Sequence, residues 1–100
     1  MNIRFLSEAE AEVEATAHWY EERCDGLGDR FLSELQDALR RIRLRPLEPQ
    51  VLRQGKWDVR RRLLKHFPYA IVYQVREAEY LVVAVAHLAR RPGYWRSRKE

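Results

Sequence analysis

Cations and aromatic rings are interleaved in the second half of the chain. Arg60-Arg61-Arg62 lies in a stretch of alternating side chains, and the tail carries Arg90, Arg91, Tyr94, Trp95, Arg96 and Arg98. On a strand the triplet divides, with Arg60 and Arg62 on one face and Arg61 on the other. Arginine offers a planar pair of donors to a carboxylate or a phosphate. Arginine on phosphates with aromatics on bases is a common chemistry of RNA binding. A metal-free ribonuclease could use such a set too. It needs a general base or a positioned 2′-hydroxyl, an acid for the leaving oxygen, and cations on the phosphorane-like charge. Arg, Lys, His and Tyr can fill those roles. A third use is a basic protein-binding surface anchored by Tyr94 and Trp95. The chemistry alone leaves these three readings level.

Other chemistries find no residues. The sequence has no Walker loop, no GxGxxG and no HExxH. One cysteine and three widely spaced histidines do not make a zinc set, so no metal or cofactor is expected. His18 falls on a helix, His66 beside a turn and His87 at a strand end. His87 is the best catalytic candidate of the three, and its competing role is a capping hydrogen bond to the nearby loop. Cys24 adjoins a helix end and reads as a packed or inert thiol.

The elements that must position these groups follow from periodicity. Ile3 to Leu6 is a short edge strand. Ser7-Glu8-Ala9-Glu10 reads as a capping box, with Ser7 accepting from a free amide and Glu10 reaching back to Ser7. The acidic run Glu8, Glu10, Glu12, Glu14 suits the positive end of a helix dipole and is otherwise a solvated face. The first helix gathers Ala9, Val13, Thr16 or Ala17, Tyr20 and Cys24 on one side. Asp25-Gly26-Leu27-Gly28 breaks it, two glycines supplying the permissive backbone of a helical hairpin. Leu27, Phe31, Leu35, Ala38, Leu39 and Ile42 stripe a second helix that ends before Pro46. Leu44 to Lys56, with two prolines and a glycine, reads as a loop. Three strands follow, over Asp58 to Phe67, Tyr69 to Val75 and Tyr80 to His87. The last is apolar enough to be covered on both faces. The order β-α-α-β-β-β implies an α+β domain of two layers, a helical hairpin on a largely antiparallel sheet. The other sheet face or an edge is left for a partner.

Composition sets the bounds. One hundred residues, 46% hydrophobic and 34% charged, make a single domain over 1–100 with one modest core. No stretch approaches the ~20 apolar residues of a membrane span. The N-terminus turns acidic where a signal peptide would stay apolar. With a single cysteine, this fits a cytoplasmic protein. Residues 1–50 hold 7 basic and 11 acidic side chains, and residues 51–100 hold 12 and 4, so the second half is net +8. Such a half suits an anionic partner, nucleic acid or an acidic protein segment.

Several stretches resemble the RelE/ParE superfamily of type II toxin–antitoxin toxins. They are Trp19-Tyr20-Glu21-Glu22, Gly26 to Leu32, Arg61 to Tyr73 with its Phe67-Pro68-Tyr69, Val82 to His87, and Arg90-Arg91-Pro92-Gly93-Tyr94-Trp95. They run in order over nearly the whole chain. The resemblance implies a small toxin silenced by a cognate antitoxin, with higher-order toxin–antitoxin complexes among the possible assemblies. ParE-like members inhibit DNA gyrase. RelE-like members cleave mRNA on the ribosome with Lys and Arg on the middle strands and a Tyr or His near the C-terminus. Here Ala70 stands where that branch can carry a catalytic Arg, and Arg61-Arg62-Leu63 replaces its Lys-x-Lys. The long hairpin with Gly26-Leu27-Gly28 is more similar to the ParE side. The ParE-like reading places the target contact on Arg60, Arg62, Arg90, Arg91, Tyr94 and Trp95. The ribonuclease reading would use Arg61, Lys65, His87, Arg91 and Tyr94. A degenerate toxin that only binds antitoxin is the third reading.

Overall fold

The computed structural model describes residues 1–100. The elements are β1 (Asn2–Phe5), α1 (Ser7–Arg23), α2 (Leu27–Leu44), β2 (Val51–Arg53), β3 (Asp58–Leu63), β4 (Tyr69–Val75) and β5 (Glu79–His87). The two helices form one layer and the sheet the other, in the order β1-β5-β4-β3-β2. β1 runs parallel to β5, and every other pair is antiparallel. The expected α+β class is therefore observed with one more strand than the sequence suggested. β2 lies inside the stretch read as a loop. It has three residues and slips register against β3 between Val51 and Arg53, so it displays no alternation to read.

α2 buries the predicted stripe, with Phe31, Leu35, Ala38, Leu39 and Ile42 against the sheet. Aromatic rings join the layers. Tyr20 stacks on Phe31 at 5.8 Å between centroids, and Phe67 meets both rings edge-on at 4.9 and 5.5 Å. Each such contact adds about 0.5–1.5 kcal/mol beyond burial. β5 is buried from Tyr80 to Val85, as its unbroken apolar run requires. Cys24, read as a packed or inert thiol, is exposed at the end of α1.

Two local expectations are corrected. The capping box does not form. Leu6 is the N-cap residue without a side-chain cap, and the Ser7 hydroxyl donates only to Glu8, at 3.3 Å. Leu6 is buried and its amide continues the β1 ladder to the Val82 carbonyl at 2.9 Å. That bond starts the helix in a position where Ser7 cannot cap it. The two hairpin glycines also do different work. Gly26 takes the left-handed conformation at φ 85°. Gly28 is already helical, and a Cβ there would lie 2.6 Å from the Ala17 carbonyl oxygen. It lets α1 and α2 touch.

The residues before β2 explain the fate of two arginines. Prolines 46 and 49 prevent a regular ladder, and the carbonyls of this segment need donors from elsewhere. Tyr73 donates its hydroxyl to Pro46 at 2.7 Å, Arg62 donates to Arg45 at 2.9 Å, and Arg60 donates to Leu47 at 3.0 Å and also to Pro49. Arg62 further meets the Glu48 carboxylate at 2.5 Å.

Replacing Gly28 with Ala should therefore lower stability by about 2 kcal/mol, the usual cost of overpacking. Ser7→Ala should change it by less than ~0.5 kcal/mol, not the ~1 kcal/mol of a lost cap. Urea unfolding of the two variants tests both.

Candidate functional site

β1 pairs with β5 only as far as Val82, after which the chain turns into α1. The rest of the β5 edge has no neighbouring strand. Side chains take its place. Glu12 of α1 accepts from the Val85 amide at 3.0 Å, and Arg98 donates to the Val83 carbonyl at 2.9 Å. Arg98 also donates both terminal nitrogens to Glu12, each at 2.9 Å, and the Tyr94 hydroxyl donates to Glu12 at 2.6 Å. Arg90 lies over the Tyr94 ring, 3.7 Å from its centroid. One carboxylate thus covers an open sheet edge and fastens the tail. A second, exposed clasp joins Glu100 to Arg4 at 2.5 Å and to Arg76.

The electrostatics follow from these contacts. Burial opposes ionisation of Glu12, but the donors Arg98, Tyr94 and the Val85 amide outweigh it and hold the carboxyl below its usual range. Burial, with the hydrogen bond to Glu12, pushes the Tyr94 phenol up to about 12. Glu12 was grouped with a solvated acidic face, and the structure corrects that. A signal was present, because Glu12 follows the buried Ala9 by three residues and so lies on the packed side of the helix.

Fastened in this way, the tail covers part of the sheet face opposite the helices. Trp95 is 9% exposed and joins the core, so it closes that face and is not a surface anchor. Between tail and sheet run two hollows of about 160 and 180 Å³ that share Arg53, Trp95 and Arg96. Ala70, Val72 and Ala86 belong to the lining of the first, along with Arg61 and Arg91. No Asp or Glu lines either hollow.

The predicted residues separate on this geometry. Arg61, His87, Arg90, Arg91 and Tyr94 all reach the cleft. Arg60 and Arg62 do not, because they face the helix side and are held by the segment before β2. Lys65 does not either, for it sits 3.9 Å from Asp37 of α2. His87 Nδ1 accepts from the Ala89 amide at 2.9 Å, and its ring meets Tyr69 edge-on. That is the loop-capping role weighed against catalysis. Sequence reasoning missed Arg53, whose strand was read as loop.

A helical hairpin on a mostly antiparallel sheet is the α+β fold that the resemblance to RelE/ParE-type toxins implies. A family model described as "ParE toxin of type II toxin-antitoxin system, parDE" matches residues 3–92, and the chain belongs to that family. Its partner is accordingly an antitoxin. A solved structure described as the chromosomal ParDE TA system from P. aeruginosa has the same fold. It superposes with a TM-score of 0.61 at 16% identity, covering 87% of this chain and 95% of that one. No curated protein sequence matches. No helix is long and apolar enough to cross a membrane.

Glu12→Gln should loosen the tail, because the charge facing Arg98 is lost and one of the two acceptor oxygens becomes an NH2 group set against donors, at a cost of about 2 kcal/mol. Amide hydrogen exchange over residues 90–100 should accelerate while α2 stays protected. In the wild type, the depressed carboxyl contributes stability in full above the unfolded glutamate pKa of about 4.3. That contribution fades as pH falls through the lower folded value, so acid should release the tail and Glu12→Gln should flatten this dependence.

Proposed function

We propose that this toxin acts in the cytoplasm by binding and poisoning DNA gyrase, and that the cognate antitoxin neutralises it. The observation that carries this reading is how the proton-transfer candidates are engaged. The Tyr94 hydroxyl donates to Glu12 at 2.6 Å, and its phenol is raised to about 12, far from a base at neutral pH. His87 Nδ1 is occupied by the Ala89 amide, and Lys65 lies on the helix side. What remains free at the cleft is cationic surface, suited to binding more than to proton transfer. The contact with gyrase falls on the exposed turn that carries Arg90 and Arg91 and on the adjoining Arg61. Tyr94 and Trp95 support it from beneath. Membership of the ParE family favours the same target.

One observation keeps a second reading alive. Arg61, His87, Arg91 and Tyr94, four of the five residues assigned to a ribosome-dependent ribonuclease, line one cleft. The two readings part in one assay. Gyrase, relaxed plasmid and ATP are titrated with the folded chain. Supercoiling should fall and cleaved DNA should be trapped, with Arg91→Glu requiring about tenfold more toxin, as expected when a charge on a contact surface is reversed. Undisturbed supercoiling by a chain that still arrests growth, with mRNA cut on polysomes, would establish the ribonuclease reading instead. Undisturbed supercoiling by a harmless chain would leave antitoxin binding as its remaining task.

A further inference from the structure

The sixteen arginines fall into two groups. Most donate a side-chain hydrogen bond or form an ion pair inside the chain, from the pegs Arg60 and Arg62 to the clasps Arg4, Arg76 and Arg98. Only six have no such partner: Arg30, Arg43, Arg53, Arg61, Arg91 and Arg96. Arg30 and Arg43 stand on α2. The other four converge on the cleft under the tail, where no carboxylate meets them. Unpaired guanidinium groups gathered this closely repel one another, and an anion that pairs with several of them relieves the repulsion.

The surroundings select the kind of anion. A single-stranded nucleic acid needs ring faces on which bases stack. Trp95 is buried, Arg90 covers the Tyr94 ring at 3.7 Å, and the Trp57 ring carries Lys56 and Arg76 at 5.5 and 5.3 Å. The chain's own cations already occupy the stacking surfaces. Exposed leucines rim the cleft instead. Leu52 and Leu88 belong to its lining and are 46% and 48% exposed, and Leu63 is the ladder partner of the cleft residue Ala70. Bases do not need such leucines, whereas an amphipathic polypeptide buries its apolar residues on them.

We propose that the cleft lined by Arg53, Arg61, Arg91 and Arg96 seats a segment of the antitoxin in which carboxylates alternate with apolar residues. Glutamate or aspartate side chains pair with the four guanidinium groups, and the apolar residues between them cover Leu52, Leu63 and Leu88. A segment seated there crosses Arg61 and Arg91, so occupation of the cleft also hides the surface assigned to gyrase. The choice of the antitoxin as occupant rests on the toxin reading, while the preference for an acidic polypeptide rests on the cleft itself.

The probes are a short fluorescein-labelled peptide of alternating Glu and Leu, its Gln-for-Glu counterpart, and a single-stranded RNA of equal length. They are titrated into the wild type, Arg61→Ala/Arg91→Ala, and the control Arg30→Ala/Arg43→Ala, which removes the same charge outside the cleft. None of these four arginines has an internal partner, so both variants should fold, as circular dichroism will verify. The Glu peptide should bind the wild type more tightly than its Gln counterpart or the RNA. The cleft variant should lose about tenfold or more in affinity and the control less than about twofold. Co-expression with the antitoxin should give weaker capture by the cleft variant alone. RNA bound more tightly than the Glu peptide and lost in the cleft variant would make this a nucleic-acid site and overturn the proposal. Equal losses in the two variants would reduce it to net charge and overturn it as well. Antitoxin held equally by wild type and cleft variant would overturn the antitoxin as occupant and leave the toxin reading standing. A wild type that captures no antitoxin would remove both.

Discussion

The Glu12 carboxylate holds the architecture of the binding face together. It lies where β1 leaves the sheet and β5 would otherwise present an open edge. It accepts from the Val85 amide, from both terminal nitrogens of Arg98 and from the Tyr94 hydroxyl. An open edge invites pairing with another chain, and an inward-pointing charge is a familiar way to prevent it. Here the charge is compensated by an arginine from the chain's own end, and that arginine also satisfies Val83. Protecting the edge and seating the tail are one interaction. Without it only the burial of Trp95 holds the tail against the sheet, and the wall of the cleft is weakened.

The arginines divide along the same line. Those facing the helices are structural donors, fixed on the carbonyls of an irregular, proline-containing segment that has no ladder of its own. On the opposite face Glu12 holds Arg90 and Arg98, while Arg53, Arg61, Arg91 and Arg96 are free. The net charge of +8 in the second half therefore overstates the surface available to a partner, because carboxylates of the first half pair with part of it, Glu12 with Arg98, Glu48 with Arg62 and Asp37 with Lys65. What is left is concentrated in one cleft. That cleft is the surface on which the proposed acidic segment of the antitoxin would lie.

Much of this was legible in the sequence, and the exceptions have physical reasons. The stripe of α2 and the apolar runs of β4 and β5 were readable because one layer buries them along their whole length. The division of Arg60 and Arg62 from Arg61 followed from strand alternation. Which face met the helices did not, because it depends on carbonyls from a segment more than ten residues away in sequence. β2 was invisible because three residues show no period. Trp95 resembled a surface anchor because nothing in a polar tail announces that it folds back. Glu12 was hidden among three other glutamates, although its spacing from Ala9 placed it on the packed side. Ser7 satisfied a local capping pattern that the longer-range bond between Leu6 and Val82 overrode.

The division of the arginines is tested most directly by NMR of their side-chain Nε–Hε groups, in the free toxin and in its complex with the antitoxin. Arg53, Arg61, Arg91 and Arg96 should show large shifts and slowed solvent exchange on binding. Arg60, Arg62 and Arg98 should already be protected in the free chain and should change little. Shifts concentrated on Arg30 and Arg43, with the four cleft resonances unmoved, would contradict it.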